Sequence, residues 1–205
     1  MAILDYPTAG VFSGAELDWG LIYNTWSFTS PISKAVQTVG MPGARWRARL
    51  SWSPNGIPAD MAAEIEAFLV TLEGRGNRLR FWNLAKRVPR GQPQGAPAVF
   101  GAAQVGSTVS TQGWTANRAG LLLPGDMVGI GGELKMVTAP VASDAQGRAV
   151  IAFKPELRAS PVNGSAIVTD RPTALFIADQ DEVSWTSLRG RIDRGLELNL
   201  TEVFA

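Results

Sequence analysis

The 205-residue chain predicts a mainly β fold: a β-sandwich with one flanking α-helix at about 58–73, plus an inserted small all-β domain, barrel-like or sandwich. Three observations carry this expectation. Short runs alternate apolar and polar residues at period two along most of the chain. Only one stretch shows the 3.6-residue period of a helix with a buried face. The 22 Gly and 13 Pro fall between the runs, where tight turns need them.

The elements follow in order. LDWGLIYNTWSFT (17–29) reads as one or two strands rich in aromatics. ARWRARLSW (44–52) sets Trp46, Ala48, Leu50 and Trp52 on one face and Arg45, Arg47, Arg49 and Ser51 on the other, the pattern of a half-exposed strand. The helix runs from Pro58 to Glu73. Met61, Ile65, Phe68, Leu69 and Leu72 share one face, and Pro58 suits a first position whose N–H is unpaired in any case. Asp60 and Glu64 lie near the positive end of the helix dipole, and Gly74 and Gly76 offer left-handed stops. NRLRFWNL (77–84) then alternates Leu79 and Phe81 against Arg78, Arg80 and Trp82.

At KRVPRGQPQGAPAV (86–99) the chain changes character, with Pro, Gly and basic residues marking a junction. From there to about Asp170 the pattern is short strands and turns with no helical period. Gly131-Gly132 predicts a hairpin turn, and Asp144–Gly147 (DAQG) another turn. RPTALFIA (171–178) opens with Pro172 and reads as a strand. RGLELNLTEVF (194–204) alternates Leu196, Leu198 and Leu200 against Glu197, Asn199 and Thr201. The last part is too small to fold alone, so residues 1–87 and 173–205 are expected to form one domain. Residues 88–172 form an insert that projects outwards.

Composition excludes much chemistry. The chain has no His and no Cys, so the commonest general base, the thiolate nucleophile, the soft metal ligands and the disulfide are all missing. It has no G-x-S-x-G motif, and Lys34, Lys86, Lys135 and Lys154 have no Ser-x-x-Lys partner. GIGGELK fits neither phosphate-loop pattern and reads as a hairpin turn. Asp126, Glu133 and Asp144 are the candidates for an oxygen-rich Ca²⁺ site, but Asp126 and Asp144 also suit turns and no EF-hand spacing is present. No catalytic residue, cofactor or metal ion is expected. The net charge of +1 leaves no overall electrostatic footprint for nucleic acid. MAILDYPTAG shows no signal-peptide pattern, and no apolar run is long enough to span a bilayer.

Two features suggest contact surfaces. The stretch Arg75–Arg90 interleaves Arg78, Arg80 and Arg87 with Phe81 and Trp82. It reads as a solvated strand face and junction, a nucleic-acid surface, or an Arg-lined lumen or subunit interface. Trp19, Trp26, Trp114 and Trp185 are candidates for carbohydrate platforms or for packing. Arg78, Arg80, Trp82, Arg87 and Trp114 are the interface candidates.

The runs RLRFWNLAKRVPRGQPQG, APAVFGAAQVGSTVSTQGW and LLLPGDMVGIGGELKMVTAPVASDAQGRAVIAFKPELRASPVNGSAIV, with the following RPTALF, resemble the distal tail proteins of long non-contractile-tailed bacteriophages. The likeness spans roughly 75–178, and the first 70 residues match in layout only. The resemblance implies a tail-tube-like β-sandwich and a hexameric ring at the virion tail tip, made and assembled in the host cytoplasm. It implies tail tube and tail hub proteins as partners, with tail fibres or a host-surface glycan as further contacts, and DNA passing only through the lumen. No membrane insertion is expected, since no apolar run is long enough to span a bilayer. A carbohydrate-binding accessory module of the tail tip, or another tail ring such as a tube or terminator subunit, are the alternatives.

Overall fold

The computed structural model describes residues 1–8, 10–52, 56–188 and 192–204. The fold is mainly β with one α-helix. The chain divides into two compact units. One comprises 1–21, 46–85 and 174–205, and the other 22–45 and 86–173.

A six-stranded sheet carries the core of the first unit, and the outer parts of two of its strands, 22–29 and 36–45, belong to the second unit. The sheet's strands are β1 (Ile3–Asp5), β2 (Glu16–Thr29), β3 (Val36–Ser51), β5 (Arg78–Phe81), β11 (Ala174–Ala178) and β14 (Glu197–Glu202), in the order β1-β5-β11-β14-β3-β2. β1 runs parallel to β5, while β5, β11, β14 and β3 pair antiparallel in turn. The expected alternation holds on β3: Trp46, Ala48 and Leu50 are buried, while Arg45, Arg47 and Arg49 are exposed. Leu79 and Phe81 of β5, Phe176 of β11 and Leu198 and Leu200 of β14 face the same core. The Trp19 ring lies 5.7 Å from Trp46 and Phe176 and 6.0 Å from Phe81, so β2 joins this core through its first half.

The helix α1 spans Ala59–Thr71, with Pro58 at its N-cap. Glu73 (φ 52°) and Gly74 (φ 56°) turn the chain left-handed after it. Ala62, Ile65, Leu69 and Leu72 are buried, whereas Met61 is 49% exposed. Ile65, Leu69 and Leu72 of the expected face are buried, and Ala62 rather than Met61 completes it. Phe68 packs edge-on against Phe12 and Tyr6, and Tyr6 against Phe81. A small sheet of β4 (Ile57–Pro58), β12 (Thr186–Leu188) and β13 (Ile192–Arg194) completes the unit.

In the second unit β6 (Gly95–Val99), β7 (Gly106–Trp114), β8 (Met127–Ile130), β9 (Glu133–Val137) and β10 (Ala149–Leu157) form an antiparallel sheet ordered β6-β7-β10-β9-β8. Its two outer strands are bridged by one segment. Ala166 pairs with Ala98 of β6 and Val168 with Gly129 of β8, so the sheet curls towards closure. Val109, Trp114, Ile130, Ile151, Phe153 and Ile167 are among the buried residues that fill it. Gly131 and Gly132 make the β8–β9 turn with φ of 58° and 83°, the geometry of a two-residue hairpin.

Candidate assembly interface

The outer halves of β2 and β3 form a hairpin. Its turn at 30–35 is closed by backbone bonds from Ser30 N–H to Ala35 O (2.9 Å) and from Lys34 N–H to Ser30 O (3.0 Å). Ser33 N–H donates to Ser30 Oγ (3.2 Å), Pro31 pre-sets its own φ, and Lys34 takes the left-handed conformation (φ 58°). Across the strands Asn24 Nδ2 donates to the Pro42 carbonyl (3.1 Å). Five of the eight residues 22–29 are Tyr, Thr, Trp or Phe, residues that fit a pleated surface.

This hairpin is apolar and bare. Among the described residues, eight of the eighteen exposed large hydrophobic side chains fall in 22–41: Ile22, Tyr23, Trp26, Phe28, Ile32, Val36, Val39 and Met41. Trp26 is 73% exposed and Ile32, at the turn, 93%. Period two puts Ile22, Asn24, Trp26 and Phe28 on one face of β2, and Gln37, Val39 and Met41 on one face of β3. A ladder extended from the Ser30–Ala35 bond sets Phe28 opposite Gln37 and Trp26 opposite Val39. The two sets then share a side. Covering eight such side chains is worth on the order of 10 kcal/mol before association costs. β2 is also the last strand of its sheet, so its outer backbone groups have no neighbouring strand among the described residues.

The five sequence-derived candidates are placed differently. Arg78 and Arg80 stand on the face of the six-stranded sheet away from its core, as do Arg47 and Arg49 on β3. Arg80 pairs with Asp5 (2.9 Å) and Arg49 with Glu197 (2.8 Å). The Glu197 hydrogen bond raises the Arg49 pKa further. Both are surface pairs of small energetic weight. Trp82 is nearly buried, with its ring 5.9 Å from Tyr6 and 6.1 Å from Phe81. Arg87, in the second unit, is exposed beside Asp170 (4.0 Å). Trp114 is 4% exposed and its indole N–H donates to Thr111 Oγ1 (2.7 Å), so it offers no stacking face to a sugar.

The carboxylates considered for Ca²⁺ are engaged within the protein. Asp126 accepts from three backbone N–H groups, those of Arg90, Gly91 and Leu123. Glu133 takes Lys135 Nζ at 2.6 Å and the N–H groups of Arg158 and Ala159. Asp144 Oδ1 accepts from Gln146 and Arg148 N–H. Among the described residues no group of three or more acidic side chains is placed to hold a metal ion. No helix among them is long and apolar enough to cross a membrane.

The hairpin is the feature that the strand-by-strand reading did not single out. Two signals were available. LIYNTWSFT carries apolar residues at both parities, which a strand with one covered face does not need. No acidic residue lies between Asp18 and Asp60. No family model matches the chain, and no curated protein matches it.

Proposed function

We propose that this chain is a structural protein that acts by assembly. It forms a ring, hexameric by analogy, at the distal end of a phage tail, joining the tail tube to the tail hub and holding peripheral fibres. The observation that carries this reading is the bare apolar hairpin at 22–41 on an open edge strand. An exposed edge of this length invites uncontrolled pairing unless a partner covers it. A head-to-tail ring of identical subunits removes every such edge at once, because each subunit's open edge meets a different surface of the next. The six-stranded sheet ends in β2 on one side and in the three-residue β1 on the other.

The resemblance of 75–178 to distal tail proteins selects this ring among other assemblies. A tube or terminator ring is the nearest alternative. The glycan reading loses its anchor with Trp114 buried. The reading needs no enzyme activity or cofactor. Negative-stain images of the purified protein test it. Annular particles with a central opening support the ring, and fields of single compact particles at every concentration refute self-assembly.

A further inference from the structure

We infer that the hairpin at 22–41 docks on helix α1 of a second copy of this chain. The inference rests on the self-assembly reading above and names the surfaces that carry it. The first argument is chemical. The hairpin could be covered by lipid or by protein, and its position decides between them. It belongs to an edge strand whose outer N–H and C=O groups lack a neighbouring strand. Immersion in lipid would leave such groups unsatisfied, whereas at a protein contact that covers the hairpin's face they stay open to water.

The second argument is charge. Between Trp19 and Ala44 the only charged residue is Lys34, at the hairpin turn. A partner that adds favourable charge is therefore acidic, with apolar ground for Trp26 and Phe28. Helix α1 is the matching surface. Its ionisable residues Asp60, Glu64 and Glu66 are all acidic, as is Glu73 just after it, and no basic residue interrupts 59–74. Val70 is 60% exposed there, and Ala63 and Ala67 are exposed on the same side of the helix. Within one chain these apolar side chains of α1 stay open, as do those of the hairpin. The contact is heterologous: hairpin meets helix, not hairpin.

The absence of Cys from the chain gives the test a clean background. Phe28→Cys and Ala67→Cys are purified separately, then oxidised alone and mixed, with the wild-type mass measured beside them. The expected result is a disulfide dimer in the mixture and none from either variant alone. The double variant should give a ladder ending in a closed ring. A product from Phe28→Cys alone means a symmetric contact and overturns the inference. A wild-type oligomer with no mixed product also overturns it, while leaving the assembly reading intact. A wild-type monomer with no product in any tube sinks both. Partition of the wild type onto phosphatidylglycerol vesicles without cross-linking assigns the hairpin to a membrane and overturns the inference as well. Charge reversal supplies a second readout: Lys34→Glu and Glu64→Lys should each lose the larger species, and the double variant should recover it.

Discussion

Asp126 offers the sharpest stability test, because its surroundings fix the expected cost. Its carboxylate is 3% exposed. Oδ1 accepts from Arg90 N–H at 2.8 Å, and Oδ2 from Leu123 N–H at 2.8 Å and Gly91 N–H at 3.1 Å. One side chain thus ties the entry to the second unit at 90–91 to the turn that precedes β8. Asp126→Ala leaves three donors without their acceptor. At about 1–3 kcal/mol each, less what an admitted water recovers, the loss is about 4 kcal/mol. Asp126→Asn keeps an oxygen for Gly91 and Leu123 but turns an amide NH₂ towards the Arg90 N–H. With the charge assistance also gone, it should cost about 2 kcal/mol. Urea unfolding followed by far-UV circular dichroism measures both. An Asp126→Ala variant within about 0.5 kcal/mol of wild type would refute the reasoning, since that is the scatter of inert surface changes. So would an Asn variant weaker than the Ala variant.

Three further outcomes are expected. Burial raises the pKa of Tyr6 above its ordinary value of 10.0, so the folded state favours the neutral phenol. That contribution is full below pH 10 and is lost as pH rises beyond it, and Tyr6→Phe should flatten urea midpoints measured from neutral to alkaline pH. Lys135, fully buried, meets both Glu133 and the Glu156 carbonyl (2.7 Å). Glu133→Leu removes the carboxylate 2.6 Å from its ammonium and should cost about 3–5 kcal/mol, more than Lys135→Met, as thermal melts would rank them. Gly147 has φ 69°, and a Cβ there would sit 2.3 Å from the Trp114 carbonyl oxygen. Gly147→Ala should therefore lower the melting temperature by several degrees, whereas Gly164→Ala, with φ 82° and open space, should lower it less.

Where one face of an element is buried, the sequence was readable. ARWRARLSW and LELNL alternate because β3 and β14 lie side by side over one core, with Leu50 opposite Leu198 and Ala48 opposite Leu200. The Gly131-Gly132 turn was equally legible, since two successive positive φ values leave little choice of residue. The helix was located to within two residues, and Ile65, Phe68, Leu69 and Leu72 of its expected face meet the core; only Met61 departs, its place taken by Ala62. Trp82 and Trp114 misled. A Trp beside Arg or Gly looks the same in sequence whether its ring points outwards or, as here, packs on Tyr6 or bonds Thr111. The first arm of the hairpin, 17–29, reads as strand in the sequence, but 36–43 drew no strand reading, and the exposure of both depends on how far β2 and β3 continue past the sheet. Apolar residues on both parities were the trace it left.

The central claim is that this chain completes itself by covering the hairpin with another copy. The absolute mass of the purified protein by light scattering, measured over a range of concentrations, tests that claim most directly. The account predicts one closed species at an integer multiple of 21.9 kDa that gives way to smaller ones when Trp26 and Phe28 are both replaced by Ser. A single species at the monomer mass throughout, unchanged by those replacements, would contradict it.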